Sequence, residues 1–176
     1  MKLYFIRHTA VDVPQGTCYG QSNVPLKESF EAEAALVKDN IKDVTFDIAF
    51  SSPLSRCRKL ANYCGFEEIE WRDRLKEMYF GEWEMMQWDN IQDENIDKWY
   101  ENWIHQPVTG GESFKMQYDR VASLLDEIRE SEYQNVALFT HAGVINCARV
   151  YVGETTLEDA FKWIPAYGEV VCLEIP

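Results

Sequence analysis

The sequence has no apolar run approaching the ~20 residues that cross a bilayer, no Cys-x-x-Cys pair, no internal repeat and no linker rich in Pro, Gly or Ser. A membrane span is not expected. The apolar residues Leu3 to Ile6 are too few for a secretory leader and are followed at once by Arg7 and His8, so the expected location is cytoplasmic. Five cysteines (Cys18, Cys57, Cys64, Cys147 and Cys172) are odd in number and scattered, which argues against a disulfide framework or a zinc ribbon and for reduced, mostly buried thiols. Positive charge is also scarce. Seventeen Lys and Arg against 30 Asp and Glu leave a formal charge of -13, so neither nucleic acid nor an anionic membrane surface is an expected partner. An anionic ligand would need cations gathered locally. With no dividing segment, residues 1–176 are expected to form a single domain.

What is present is an alternation of short apolar runs and helical patterns. KLYFI (2–6), FDIAF (46–50), EIEW (68–71), VALFT (136–140) and VVCLEI (170–175) read as largely buried strands. Residues 28–40, 53–63 and 112–131 read as helices, the second opening on Pro53 after Ser51-Ser52, and helix formers follow Gly143 as well. Strands alternating with helices predict an α/β fold, a three-layer α/β/α sandwich around a mostly parallel sheet. Ligands of such sheets sit beyond the carboxyl ends of the strands, where Arg7-His8, Ser51-Ser52 and Thr140-His141 all fall. The aromatic-rich segment at about 79–104, with Trp83, Trp88, Trp99 and Trp103, is expected to be an excursion, helical from about residue 93, that packs on the sandwich and overhangs this rim.

Two histidines at strand ends, one preceded by an arginine, are unlike a single structural histidine. Arg56, one turn into a helix that starts right after a strand, faces the same rim, whereas Arg58 points elsewhere. Guanidinium forks, a helix N-terminus and imidazole suit a tetrahedral dianion such as a phosphoryl group. A neutral imidazole can attack phosphorus while the cations offset charge on the transferring oxygens, and a separate acid then serves the leaving oxygen. Glu77, Glu82 and Glu84 are all candidates for that acid. A metal site on His8, His141 and Glu77 is disfavoured because two guanidiniums would repel a dication. His105 reads as a surface residue.

The motifs R-H-T (7–9), S-S-P-L-x-R (51–56), L-x-E-x-x-F-G-x-W-E (75–84), P-x-x-G-G-E-S (107–113) and T-H-A-G-V-I (140–145) together resemble the histidine phosphatase superfamily, also called phosphoglycerate mutase-like. The resemblance runs from residue 3 to about 150, in the family's order. It implies His8 as nucleophile, Arg7, Arg56 and His141 as the phosphate pocket, Glu77 as proton donor, and neither a cofactor nor a metal. Glu82 and Glu84 then become surface or packing carboxylates, Ser113 orders the following helix, and Glu112 visits the rim. The stretch RHTAVDVPQGTCYGQSNVPL looks most like the alpha-ribazole phosphatase branch, which implies a small-molecule phosphate ester as partner. Thr9, Cys18, Tyr19, Gly20, Gln21 and Ala142 would line the substrate's path, although a thiol at Cys18 offers no chemistry the mechanism needs. Mutases of the superfamily carry Asn six residues after the histidine, where this chain has Pro14. A binding module without turnover would be expected to have lost one of the five catalytic groups, and all are present. Met85, Met86, Asn146 and Lys59-Leu60 depart from the usual pattern, and Met85 is expected to narrow an edge of the pocket.

Overall fold

In a computed structural model, which describes residues 1–175, alternate side chains of the central strands enter opposite cores, whereas both residues of the short edge strand at 70–71 are exposed. Strands β1 (Lys2–Arg7), β2 (Ile48–Ser51), β3 (Glu70–Trp71), β4 (Asn135–Thr140) and β5 (Val170–Glu174) form one sheet in the order β3-β2-β4-β1-β5. The first four are parallel and β5 pairs antiparallel with β1 at the edge. In β4, Val136 and Leu138 join Leu3, Phe5 and Phe50 in the core beneath helices α4 (Phe114–Arg129) and α5 (Ala142–Tyr151). Ala137 and Phe139 join Ile6 and Ala49 beneath α1 (Phe30–Ile41) and α2 (Ser55–Cys64). Burial of each large apolar side chain contributes about 1.5–3 kcal/mol, and the two cores hold the strand ends in fixed relation. The expected three-layer α/β/α sandwich is what forms.

Local chemistry sets the element ends. Ser113 caps α4 by accepting from Met116 N at 3.2 Å, as its position predicts. The start of α2 differs from expectation. Its N-cap is Leu54, in extended conformation and without a side-chain cap, so Pro53 stays outside the helix. Ser52 Oγ accepts only weakly from Leu54 N at 3.3 Å, because the same hydroxyl is held by His141.

The excursion departs further. Its only α-helix is the short α3 (Ile96–Asn102), preceded by 3₁₀ turns at Gly81–Trp83 and Trp88–Asn90. Phe80, Trp83, Trp88 and Trp99 do not pack on the sandwich but on one another and on Cys18 and Met78, with Trp88 and Trp99 stacked at 5.7 Å. Trp103 alone reaches the sandwich, against Phe114 and Phe161. The excursion's backbone pairs with the loop after β1: Trp88 N donates to Gly16 O, Met85 N to Cys18 O, and Cys18 N to Met86 O. Met85 takes part through its backbone at φ 66, and the residue is 48% exposed.

Candidate active site

The parallel register brings three strand ends to one rim. Arg7 lies opposite Thr140 and Ser51 opposite Phe139, and the chain continues the ladder with His8 N donating to Thr140 O and Ser52 N to Phe139 O. His8, Ser52 and His141 therefore emerge together at the carboxyl edge. The rings of His8 and His141 are 5.2 Å apart and both residues are buried.

Hydrogen bonds assign the protons. His8 Nδ1 lies 2.8 Å from Thr9 O, an acceptor, so the neutral ring carries its proton there and leaves the Nε2 lone pair free. Arg56 Nε donates to His141 Nδ1 at 3.3 Å, which puts the proton of His141 on Nε2, facing Ser52 Oγ at 2.8 Å. Burial, followed by the charge of Arg56, lowers the pKa of both imidazoles well below the usual value, against a smaller opposite effect of the Thr9 carbonyl on His8. Both rings are neutral at pH 7.

Arg56 is fully buried. Besides its bond to His141, it donates through Nη1 to Ser22 O and through Nη2 to Gly20 O, and a guanidinium with five N–H groups keeps two for a ligand. Arg7 donates to Pro165 O, and its buried Nε has no partner. Among the described residues no carboxylate lies within ion-pairing distance of either arginine. Burying a guanidinium without a counterion is unfavourable, so the pair leaves a place for an anion.

Glu77 reaches the same rim from the segment after β3. Its Oε1 accepts from Met78 N and Gln117 Nε2, each at 2.8 Å, and its Oε2 accepts from Gly143 N at 3.1 Å. A Cβ on residue 143 would stand 2.2 Å from Oε1, so any other residue there would displace the carboxylate of Glu77. Arg120 fixes the segment by donating to Arg74 O, Lys76 O and Glu77 O, and is itself held by Glu112 through two bonds of 2.8 and 2.9 Å. Glu112, expected as a visitor to the rim, is thus engaged one layer behind it.

The model of the histidine phosphatase superfamily (branch 1) matches residues 3–176. The chain belongs to that superfamily. A curated relative, the adenosylcobalamin/alpha-ribazole phosphatase of Escherichia coli K12, is 28% identical over an alignment of 155 residues that covers 83% of this chain and 76% of the relative. The alpha-ribazole phosphatase from Shigella flexneri superposes with a TM-score of 0.91 at 27% identity, covering 100% of this chain and 91% of the other. A phosphoglycerate mutase from Thermus thermophilus gives 0.78 at 26% identity, covering 100% and 94%.

The fold brings together the five residues that the family motifs single out, and four neighbours to which the resemblance assigns no catalytic role. Ser52 holds His141, Gln117 holds Glu77, and Tyr167 lies over Arg7 with its ring centre 4.0 Å from Cζ. The fourth is Glu84, expected to be a surface or packing carboxylate. It accepts from Gly20 N, Gln21 N, Ser22 Oγ and, at longer range, Ser22 N and Phe80 N, and so shapes the loop whose carbonyls take Arg56. Of the expected substrate contacts, Thr9 uses its carbonyl on His8, Gly20 uses its carbonyl on Arg56, and Gln21 Nε2 donates to Glu77 O. Ala142 opens α5 beside Glu77's anchor at Gly143. Cys18 is a correction. It is fully buried in the aromatic cluster of the excursion, and burial, with Glu84 nearby, pushes its thiol up to about 12, so its side chain meets no substrate.

Proposed function

We propose that this superfamily member is a metal-independent phosphomonoesterase that works through phospho-His8, with alpha-ribazole 5'-phosphate as its substrate. The observation that carries the reading is a neutral, buried imidazole with a free Nε2 beside two guanidiniums that have no carboxylate partner. The Nε2 lone pair forms the N–P bond as the bond from phosphorus to the alcohol oxygen breaks. Arg7 and Arg56 stabilise the charge on the equatorial oxygens, and His141 keeps Arg56 aimed. Glu77 gives the alcohol oxygen its proton, then takes one from the water that displaces Nε2 and releases inorganic phosphate. Thr9, Tyr19, Gln21 and Ala142 lie along the path of the alcohol.

The alpha-ribazole assignment is supported by the relative and the solved structure of that name. The chain works as one histidine phosphatase domain. Five cysteines without a disulfide accord with a cytoplasmic enzyme. No helix among the described residues is long and apolar enough to cross a membrane.

Phosphate release in chelator from alpha-ribazole 5'-phosphate, sugar phosphates, phosphoserine, 3-phosphoglycerate and p-nitrophenyl phosphate tests the reading. The expected outcome is the highest kcat/KM for the ribazole ester and, for His8→Ala, a loss of at least about 10³-fold on every ester. A flat profile would reduce the assignment to a phosphatase of broad specificity. Wild-type activity in His8→Ala, or loss in chelator that added metal restores, would sink the mechanism.

A further inference from the structure

Two tyrosines from distant parts of the chain meet over the cradle. Tyr167, in the segment before β5, stacks on the Arg7 guanidinium at 4.0 Å and sits 5.6 Å from the His8 ring. Tyr19, in the loop after β1, lies 5.4 Å from Cζ of Arg56. Their hydroxyls are 3.1 Å apart, so each ring covers one of the two phosphate-binding cations and the oxygens join across the mouth. Outside this pair lies a cleft of about 380 Å³, walled by both tyrosines and Val11, Val13 and Pro14, with the polar residues Gln15, Thr17 and Lys27 completing it.

We infer that Tyr19 and Tyr167 select the alcohol half of the ester, and that the cleft beside them takes a ring-bearing alcohol in preference to a three-carbon one. This rests on the reading of His8, Arg7 and Arg56 as a phosphoryl cradle. An ester held there directs its alcohol outward, and the phenols stand between the cradle and the cleft. The hydroxyl pair has one O–H engaged internally and one free, with lone pairs to spare, so it can both donate to and accept from hydroxyls next to the ester carbon. The cleft's size falls within the range of small-molecule sites, about 300–1,000 Å³, and a three-carbon alcohol would leave much of it filled only with water. The two phenol rings with Val11, Val13 and Pro14 give a flat ring system a face to pack on, and Gln15, Thr17 and Lys27 offer polar partners to its heteroatoms and hydroxyls. No carboxylate lines the cleft to receive the ammonium group of an amino-acid ester.

Steady-state kinetics of the wild type, Tyr19→Phe and Tyr167→Phe with alpha-ribazole 5'-phosphate, adenosine 5'-monophosphate and 3-phosphoglycerate test the inference. Loss of a hydroxyl that meets the alcohol is expected to lower kcat/KM for a ring-bearing ester by about 10- to 100-fold, at least tenfold more than for 3-phosphoglycerate. An equal loss on all three esters, or none, would overturn it. If only adenosine 5'-monophosphate shows the selective loss, the cleft stands and the ribazole assignment falls. Calorimetric binding of free alpha-ribazole and of glycerate, with inorganic phosphate saturating, reads the cleft without turnover. Binding of the riboside that weakens in either variant while glycerate does not bind supports the inference, and equal binding of both alcohols overturns it.

Discussion

At the scale of single residues, the site is built by removing choices from polar groups. The neutral ring of His8 carries its proton on Nδ1 toward Thr9 O, and Glu77 cannot turn because three N–H groups hold it. Burying two neutral imidazoles beside Arg56 has a measurable consequence. The unfolded chain takes up a proton on each histidine near pH 6.5, whereas the folded chain resists until a lower pH, as the downward shifts of His8 and His141 require. Their contribution is fully present above about pH 6.5 and is lost as pH falls from there toward the folded values, with a limiting slope of about 1.4 kcal/mol per pH unit for each. Urea unfolding between pH 7.5 and 5 should show this decline, and His141→Asn should show a shallower one. An unchanged slope in that variant would contradict the burial of a neutral His141.

At the scale of elements, the excursion acts on the site through a loop. Its backbone pairs with Gly16 and Cys18, and its Glu84 carboxylate gathers Gly20, Gln21 and Ser22, which places the carbonyls of Gly20 and Ser22 on Arg56. A carboxylate accepting several N–H and O–H donors is an acceptor-only group that an amide cannot replace without turning an N–H toward a donor. Glu84→Gln is expected to raise KM for phosphate esters by about 10-fold and to lower the melting temperature by several degrees, the effect of about 1–3 kcal/mol. Glu84→Asp should recover part of KM if the carboxylate positions the loop. A lowered melting temperature with unchanged KM would make Glu84 merely structural.

At the scale of the whole molecule, charge is divided between site and exterior. A formal -13 surrounds a cradle whose two arginines have no carboxylate partner among the described residues. Screening over about 8 Å at physiological salt lets Arg7 and Arg56 dominate at contact, while the acidic exterior acts on approach. For highly charged esters kcat/KM is therefore expected to rise between low and physiological salt. A flat or falling profile would count against long-range repulsion.

The sequence by itself determined the sandwich and the rim, because both follow from short-range rules. Short apolar runs bounded by turn signals write the strands, and the alternation with helices puts Arg7-His8, Ser51-Ser52 and Thr140-His141 at carboxyl ends. It also carried the motifs that hold His8, Arg56, Glu77 and His141. Tertiary structure alone decided which neighbours act on them. Tyr167 is 148 residues from Tyr19, Gln117 is 40 from Glu77, and Glu84 stands over 60 from the loop it gathers. Contacts at such separations leave no periodicity, since they depend on how three layers and an irregular excursion pack. For the same reason Cys18 and Met85 read as pocket residues in the sequence, and folding turned one into a core and the other toward solvent.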